Sequence, residues 1–416
     1  MKSADNGYNG RFAGVPMETL DYVPLRLKKN EERRLLAGHA WIFSNEVDVE
    51  ATPIRPLEPG QPVTIQDSRG RTLGTGYANP NSLICARLVT RDADHPFGPS
   101  LLVHRLKVAL SLRERLFEEP FYRLVHGESD GLPGLVVDRY GDVLVAQITT
   151  AGMERLRDAL LSAFEKVLRP SAVLWRNDSP VRSLEGLDLY VQPATGPIPE
   201  TVEITENGAR FQVPLLAGQK TGWFYDQRDN RAWLRRLSTG ARVLDLFSYA
   251  GGWGIQAAMH GAEQVTCVDA SADAVAQVEA NARLNRVDDR VQALAGDAFE
   301  VLRRLREERA RFDLIIVDPP AFIKRRKDLK EGTAAYRRIN QMALQVLARD
   351  GFLIACSCSQ HMAADALEKQ VHAAARHVDR QMQILSRGGQ ASDHPIHPAM
   401  PETAYLKAIL CRCIGQ

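Results

Sequence analysis

From about Leu215 to the C-terminus, short apolar runs alternate with helical stretches. The runs are "ARVLDLF", "QVTCVDA", "VQALAG", "FDLIIVD" and "GFLIACS". Strands this apolar are buried on both faces, and parallel neighbours need a crossover helix between them. The alternation therefore predicts a parallel sheet with helices on both faces, an α/β architecture. Ligands of such sheets bind outside the carboxyl ends of the strands. Acids cluster there: Asp245 and Asp269 in the first two runs, Asp297 after the third, and Asp318 at the end of the fourth.

The rest of the chain reads differently. With 416 residues it is too long for one core. Residues 1–21 are polar, rich in Gly and Asn, and expected to be a tail. Residues 22–98 carry short strand signals ("PVTIQD", "SRGRTLGTGYA", "SLICARLV") broken by turns, which predicts a small β-rich domain. Residues 99–214 predict a small central α+β domain. It has a helix over 99–119, a hairpin of strands 134–138 and 143–148 around "RYGD", a helix over 153–168 and a strand over 172–176. Residues 215–416 hold the α/β domain. The N-terminal stretch shows no apolar core of a signal peptide, and no run approaches the roughly 20 apolar residues of a membrane span. Six cysteines without a secretory signal predict reduced thiols and a cytoplasmic protein. Net charge is only +2, so any nucleic-acid surface must be a local patch. Two candidates are Arg26, Lys28, Lys29, Arg33 and Arg34, and Lys324, Arg325, Arg326 and Lys327.

Three loops carry chemistry. "DLFSYAGGWG" leaves the first strand and opens a helix. Its glycines, Gly251, Gly252 and Gly254, are expected to let the backbone approach a ligand. The strict G-x-G-x-x-G is missing and Asp245 precedes the turn, a pattern that fits S-adenosylmethionine better than a nicotinamide dinucleotide. Asp269 stands where an acid meets ribose hydroxyls. The second loop, "VDPPAF", holds Asp318 rigidly before two prolines. It suits the amino edge of a nucleobase, with Phe322 packing on the base.

The third loop is "CSCSQ". Cys356 should still lie on its strand, while Cys358 falls past its end and can reach a substrate. A thiolate there can add to carbon 6 of a cytosine, which makes carbon 5 nucleophilic enough to take a methyl group. No metal site is expected, because C-x-C is not a usual zinc spacing. Methylation of an exocyclic amine, or RNA binding without catalysis, remain alternative readings.

The chain resembles the large-subunit (23S) rRNA cytosine-5 methyltransferase family. The resemblance rests on "LRLKKNEERRLLAGHAWIFSNEV", "YRLVHGESDGLPGLVVDRYG", "KTGWFYDQRDNR", "FSYAGGWG", "DPPAF", "SCS" and "SDHPIHPAMPETAYLK". It implies an N-terminal PUA-like RNA-binding domain, a central α+β domain and a class I (Rossmann-like) methyltransferase domain. It also implies S-adenosylmethionine as cofactor and 23S rRNA or a large-subunit assembly intermediate as partner, with no membrane; a homodimer is compatible with it. By resemblance the nucleophile is Cys358, with Asp318 near the base. Cofactor contacts fall on Asp245, Ser248, Tyr249, Gly251, Gly252, Asp269, Asp297 and Asp318. Lys220, Thr221, Asp226, Gln227 and Arg228 would close over the methionine end. The family often has a basic residue where Ala321 stands. "DPPAF" also lacks the second cysteine found in many RNA cytosine-5 methyltransferases, which leaves the base that removes the carbon 5 proton unassigned.

Overall fold

A computed structural model describes residues 22–92, 95–216 and 221–415. The expected tail, residues 1–21, lies outside the described residues. The chain divides into two compact units, residues 1–198 with 398–400, and 199–397 with 401–416.

The first unit holds two five-stranded sheets. One runs in the order Val23–Arg26, Gln61–Gln66, Thr72–Ala78, Ala86–Thr90, Trp41–Ile42 around a core of Leu25, Ile42, Val63, Ile65 and Leu88. The other comprises Phe121–His126, Leu135–Tyr140, Val143–Ile148, Ala172–Asn177 and Tyr190–Thr195. Helix Pro99–Leu116 starts with proline at its first turn, where a missing N–H costs nothing. It buries Leu102, Leu106, Ala109 and Arg113, one face at helical spacing. Arg113 is tolerated there because Asp130 accepts from both its terminal nitrogens, at 2.6 and 2.8 Å. The hairpin turn is tighter than "RYGD" suggested. The strand continues through Tyr140, and Gly141 takes φ +69°, a left-handed conformation that glycine supplies without a steric penalty.

The second unit is built on seven strands: β1 (Arg242–Leu246), β2 (Gln264–Asp269), β3 (Val291–Ala295), β4 (Phe312–Val317), β5 (Leu347–Ser357), β6 (Arg380–Gly388) and β7 (Lys407–Gly415). Their order is β3-β2-β1-β4-β5-β7-β6. The first five are parallel; β7 runs antiparallel between β5 and β6. Helices α1 (Gly252–Met259), α2 (Ala272–Leu284), α3 (Ala298–Glu307), α4 (Leu329–Val346) and α5 (Ala364–His377) connect them. The order reverses between β1 and β4, and their loops diverge at this switch point to open a crevice.

The hairpin Thr201–Glu206 with Ala209–Pro214 belongs to this second unit, although its position before residue 215 suggested the central domain. The reason is local. The backbone N–H groups of Gln212 and Arg210 donate to Asn281 and Asn285 at the end of α2, each at 2.8 Å.

Candidate active site

The loop after β1 is strained, and β2 stabilises it. Phe247 and Tyr249 adopt φ +64° and +47°, and Gly251 adopts +82°. For residues with a side chain this region costs on the order of 1–3 kcal/mol each. Asp269, at the end of β2, accepts from the backbone N–H of Tyr249 and of Ser271, both at 2.9 Å. Its carboxylate thus fixes the loop while keeping lone pairs for a ligand.

The three glycines have different reasons to be there. Only Gly251 needs a positive φ. A Cβ on Gly254 would lie 2.3 Å from Cys267 Sγ, so this glycine lets α1 pack against β2. A Cβ on Gly252 would lie 3.0 Å from Arg231 Nε.

Asp245 is fully buried. Its Oδ2 accepts from Gly254 N–H at 2.9 Å, while Oδ1 has no hydrogen-bond partner, and neither has the buried Ser248 Oγ. Burial, uncompensated on one side, pushes the Asp245 carboxyl up to about 8.

Asp318 follows β4. Gln227 Nε2 donates to Oδ1 at 2.9 Å and Trp253 Nε1 to Oδ2 at 3.0 Å. Burial raises this carboxyl to about 6 against those two bonds. Asn230 Nδ2 donates to Gln227 Oε1 at 2.7 Å and so sets which end of the amide meets Asp318.

Thr221, Asp226, Gln227 and Arg228 are all buried in the segment before β1; Lys220 lies outside the described residues. Asp226 accepts from Tyr405 O–H at 2.6 Å. Arg228 leans over the Tyr225 ring and lies 3.6 Å from Glu206. Glu206 is the hub of this segment. It is buried and accepts from Trp223 Nε1 (2.8 Å), Arg231 Nη1 (2.6 Å) and Gln256 Nε2 (2.9 Å). A buried carboxylate so fully paired holds its partners in one arrangement.

Asp297 is exposed and caps α3, accepting from Phe299 and Glu300 N–H at 2.9 and 3.1 Å. It lines a cavity of about 530 Å³ with Phe299, Arg303, Glu331 and Arg338.

The half-buried ring of Phe322 packs among Tyr336, Phe247 and Phe299, with centroids 4.8, 6.4 and 6.4 Å away, so it supports the loop from inside. Ser359 ties this loop to the one after β5. Its Oγ accepts from Ile323 N–H at 3.1 Å and meets Tyr336 Oη at 2.8 Å.

Cys356 is buried on β5, with its thiol pushed well above the usual range by burial. Cys358 lies one residue past the strand and is half-buried; the other five cysteines are buried. Its Sγ is 4.0 Å from the Pro319 carbonyl oxygen. In the β5–β7 register Cys411 and Cys413 face Leu353 and Gly351, at the opposite end of the strand from Cys358.

Two family models match this chain. One, "S-adenosylmethionine-dependent methyltransferase", covers residues 188–412, and the other, "PUA-like domain", covers residues 25–91. A protein of Salmonella arizonae named Ribosomal RNA large subunit methyltransferase I is 38% identical over 94% of this chain and 98% of its own length. One of the same name from Erwinia tasmaniensis is 38% identical over 94% of this chain and 100% of its own. The chain belongs to the ribosomal RNA large subunit methyltransferase I family. A solved structure of a protein provisionally named a methyltransferase, in complex with SAH, shares the fold. Its TM-score is 0.81 at 23% identity, and the match covers 94% of this chain and 100% of that one.

As a member of this family the protein is a S-adenosylmethionine-dependent methyltransferase, with the class I fold and the PUA-like first sheet expected from its sequence. The crevice fits that cofactor. Two buried polar atoms, Asp245 Oδ1 and Ser248 Oγ, lack partners beside a loop shaped by left-handed backbone, and Asp318 adds a second carboxylate. A cationic ligand rich in N–H and O–H donors supplies what these groups lack. The sequence reading missed Glu206, Tyr405 and Lys407, whose partners lie far along the chain. Among the described residues, no helix is long and apolar enough to cross a membrane, and no group of three or more His, Cys, Asp or Glu could hold a metal ion.

Proposed function

We propose that this enzyme methylates carbon 5 of a cytosine in 23S rRNA, free or in a large-subunit assembly intermediate, through a covalent bond to Cys358. One observation carries the reading. The one cysteine of six that is not buried stands past the end of β5, 4.0 Å from the loop after β4. Methylation of an exocyclic amine would give that thiol nothing to do. The names of the relatives support large-subunit rRNA as the substrate class, and an rRNA substrate implies work in the cytoplasm.

When bound, S-adenosylmethionine supplies an electrophilic methyl group. Asp245, Ser248 and Asp269 are the proposed anchors of its charged and hydroxyl groups, with Asp226 and Gln227 closing the methionine end. Asp297 and the cavity beside Phe299 suit its adenine. Each Asp318 oxygen keeps a lone pair for the amino group of a cytosine. Cys358 adds as thiolate to carbon 6, and the displaced electron pair makes carbon 5 nucleophilic. Once carbon 5 carries the methyl group, loss of its proton re-forms the double bond and expels Cys358 as thiolate.

RNA carrying 5-fluorocytosine tests this, because fluorine cannot leave as a proton does. The wild-type protein should be trapped on methylated RNA, and Cys358→Ala should lose both adduct and turnover. An active Cys358→Ala enzyme would overturn the mechanism in favour of amine methylation.

A further inference from the structure

Lys407 opens β7 and stands opposite Ser357 in the antiparallel β5–β7 ladder, beside the residue that leads into Cys358. Its Nζ donates to Ser359 O at 2.6 Å and to Tyr405 O at 2.9 Å. Those carbonyls belong to the residue after Cys358 and to the segment that caps Asp226. An ammonium has three N–H bonds, and these two contacts take two of them. The side chain is half-buried, so its charge is poorly screened. Burial lowers the Lys407 ammonium to about 8, and the attraction of Cys358 works against that shift.

Arg231, a cation that acts on Cys356, is paired with Glu206 at 2.6 Å. Tyr336 from α4 and Cys356 from β5, which interact with the Cys358 thiol, carry no positive charge. A cation beside Cys358 favours its thiolate, and Lys407 is attracted to it.

We propose that Lys407 is a positioning residue whose ammonium, anchored on the carbonyls of Ser359 and Tyr405, stabilises the Cys358 thiolate and fixes its loop against β7. The inference rests on Cys358 being the nucleophile, but it can be tested without RNA or cofactor. The test is the pH dependence of Cys358 alkylation by iodoacetamide, followed by mass spectrometry of the Cys358 peptide in the full-length protein. Wild type, K407M, K407Q and K407R are compared.

Removing a half-buried cation should raise the alkylation midpoint by about one pH unit, a roughly tenfold loss of thiolate reactivity near neutral pH. K407M and K407Q should both show this, and K407R should restore the wild-type midpoint. K407Q keeps hydrogen-bond donors while losing the charge, so it separates charge from anchoring and decides the matter if K407M does not fold. A midpoint in K407Q equal to wild type overturns the proposal. Turnover by Cys358→Ala would instead overturn the nucleophile assignment and leave the alkylation result standing, so the two failures can be told apart.

Discussion

The Sγ of Cys358 lies 4.0 Å from the carbonyl oxygen of Pro319. Cys358 follows β5 and Pro319 follows β4, so this approach joins the two loops. Cys356, two residues earlier, is buried on β5 beside Gln227. Cys356→Ala should therefore keep turnover within a few-fold, at a stability cost of about 1–2 kcal/mol for the small cavity, whereas Cys358→Ala should be inactive with an unchanged melting temperature. Single-turnover methyl transfer on both variants, with thermal melts alongside, checks this. Equal losses in the two would remove the distinction between them.

Asp245 should make cofactor binding pH-dependent. Burial holds its carboxyl at about 8, so it is mainly protonated at pH 7. A cationic ligand favours the ionised form and lowers that value. Binding then releases protons, and affinity should rise with pH, by at most about tenfold per unit, levelling off above about pH 8. Asp318, at about 6, contributes in the same direction at lower pH. Calorimetry of S-adenosylmethionine binding at pH 7 in buffers of different ionisation enthalpy should give a non-zero slope. Asp245→Asn should flatten most of it. A zero slope in wild type would mean that the cofactor's charge does not sit near Asp245.

Gly254 should be a packing residue. A methyl group there meets Cys267 Sγ at 2.3 Å and Val265 Cγ1 at 3.1 Å, both on β2. Overpacking of this kind costs about 1–3 kcal/mol. Gly254→Ala should destabilise by that amount in urea titration. Adding Cys267→Ala, which removes the clashing sulfur, should return part of the loss. Strict additivity of the two changes would contradict the proposed contact.

The sheet was legible in the sequence because five apolar runs, each ending near an acid or a cysteine, can be buried only one way. Cys358 could be singled out because the run ending at Cys356 stops just before it. Lys407 could not be read, because its partner Ser359 is 48 residues away and only the β5–β7 register brings them together. Glu206 was hidden for the same reason. Its partner Arg231 is 25 residues on, and the hairpin that carries it looked like the end of the preceding domain. The packing of Phe322 could not be read, because the rings around it come from segments after β1, in α3 and in α4, scattered along the chain.

The basic loop after "DPPAF" makes the last prediction. Lys324, Arg325, Arg326 and Lys327 are all exposed, directly after the residues that face Cys358. Arg325 is partly neutralised, since its Nε lies 3.5 Å from Asp328, whose carboxylate also accepts from the Arg325 N–H. The charges available to phosphates are then Lys324, Arg326 and Lys327. In the first unit Arg34 is committed to Glu46 at 2.7 and 2.9 Å, which leaves Lys28, Lys29 and Arg33 exposed. If the loop binds RNA, each phosphate contact releases counterions, and log affinity falls linearly with log salt, by about 0.7–0.9 per contact. Neutralising Lys324, Arg326 and Lys327 together should lessen that slope by about 2–3 units, with affinity for S-adenosylmethionine unchanged. Neutralising Lys28, Lys29 and Arg33 should weaken RNA capture yet leave the methyl-transfer rate at saturating RNA nearly as it was. RNA affinity measured across a salt series for both triple variants decides between these surfaces. Wild-type slopes in both would show that neither patch meets the phosphate backbone.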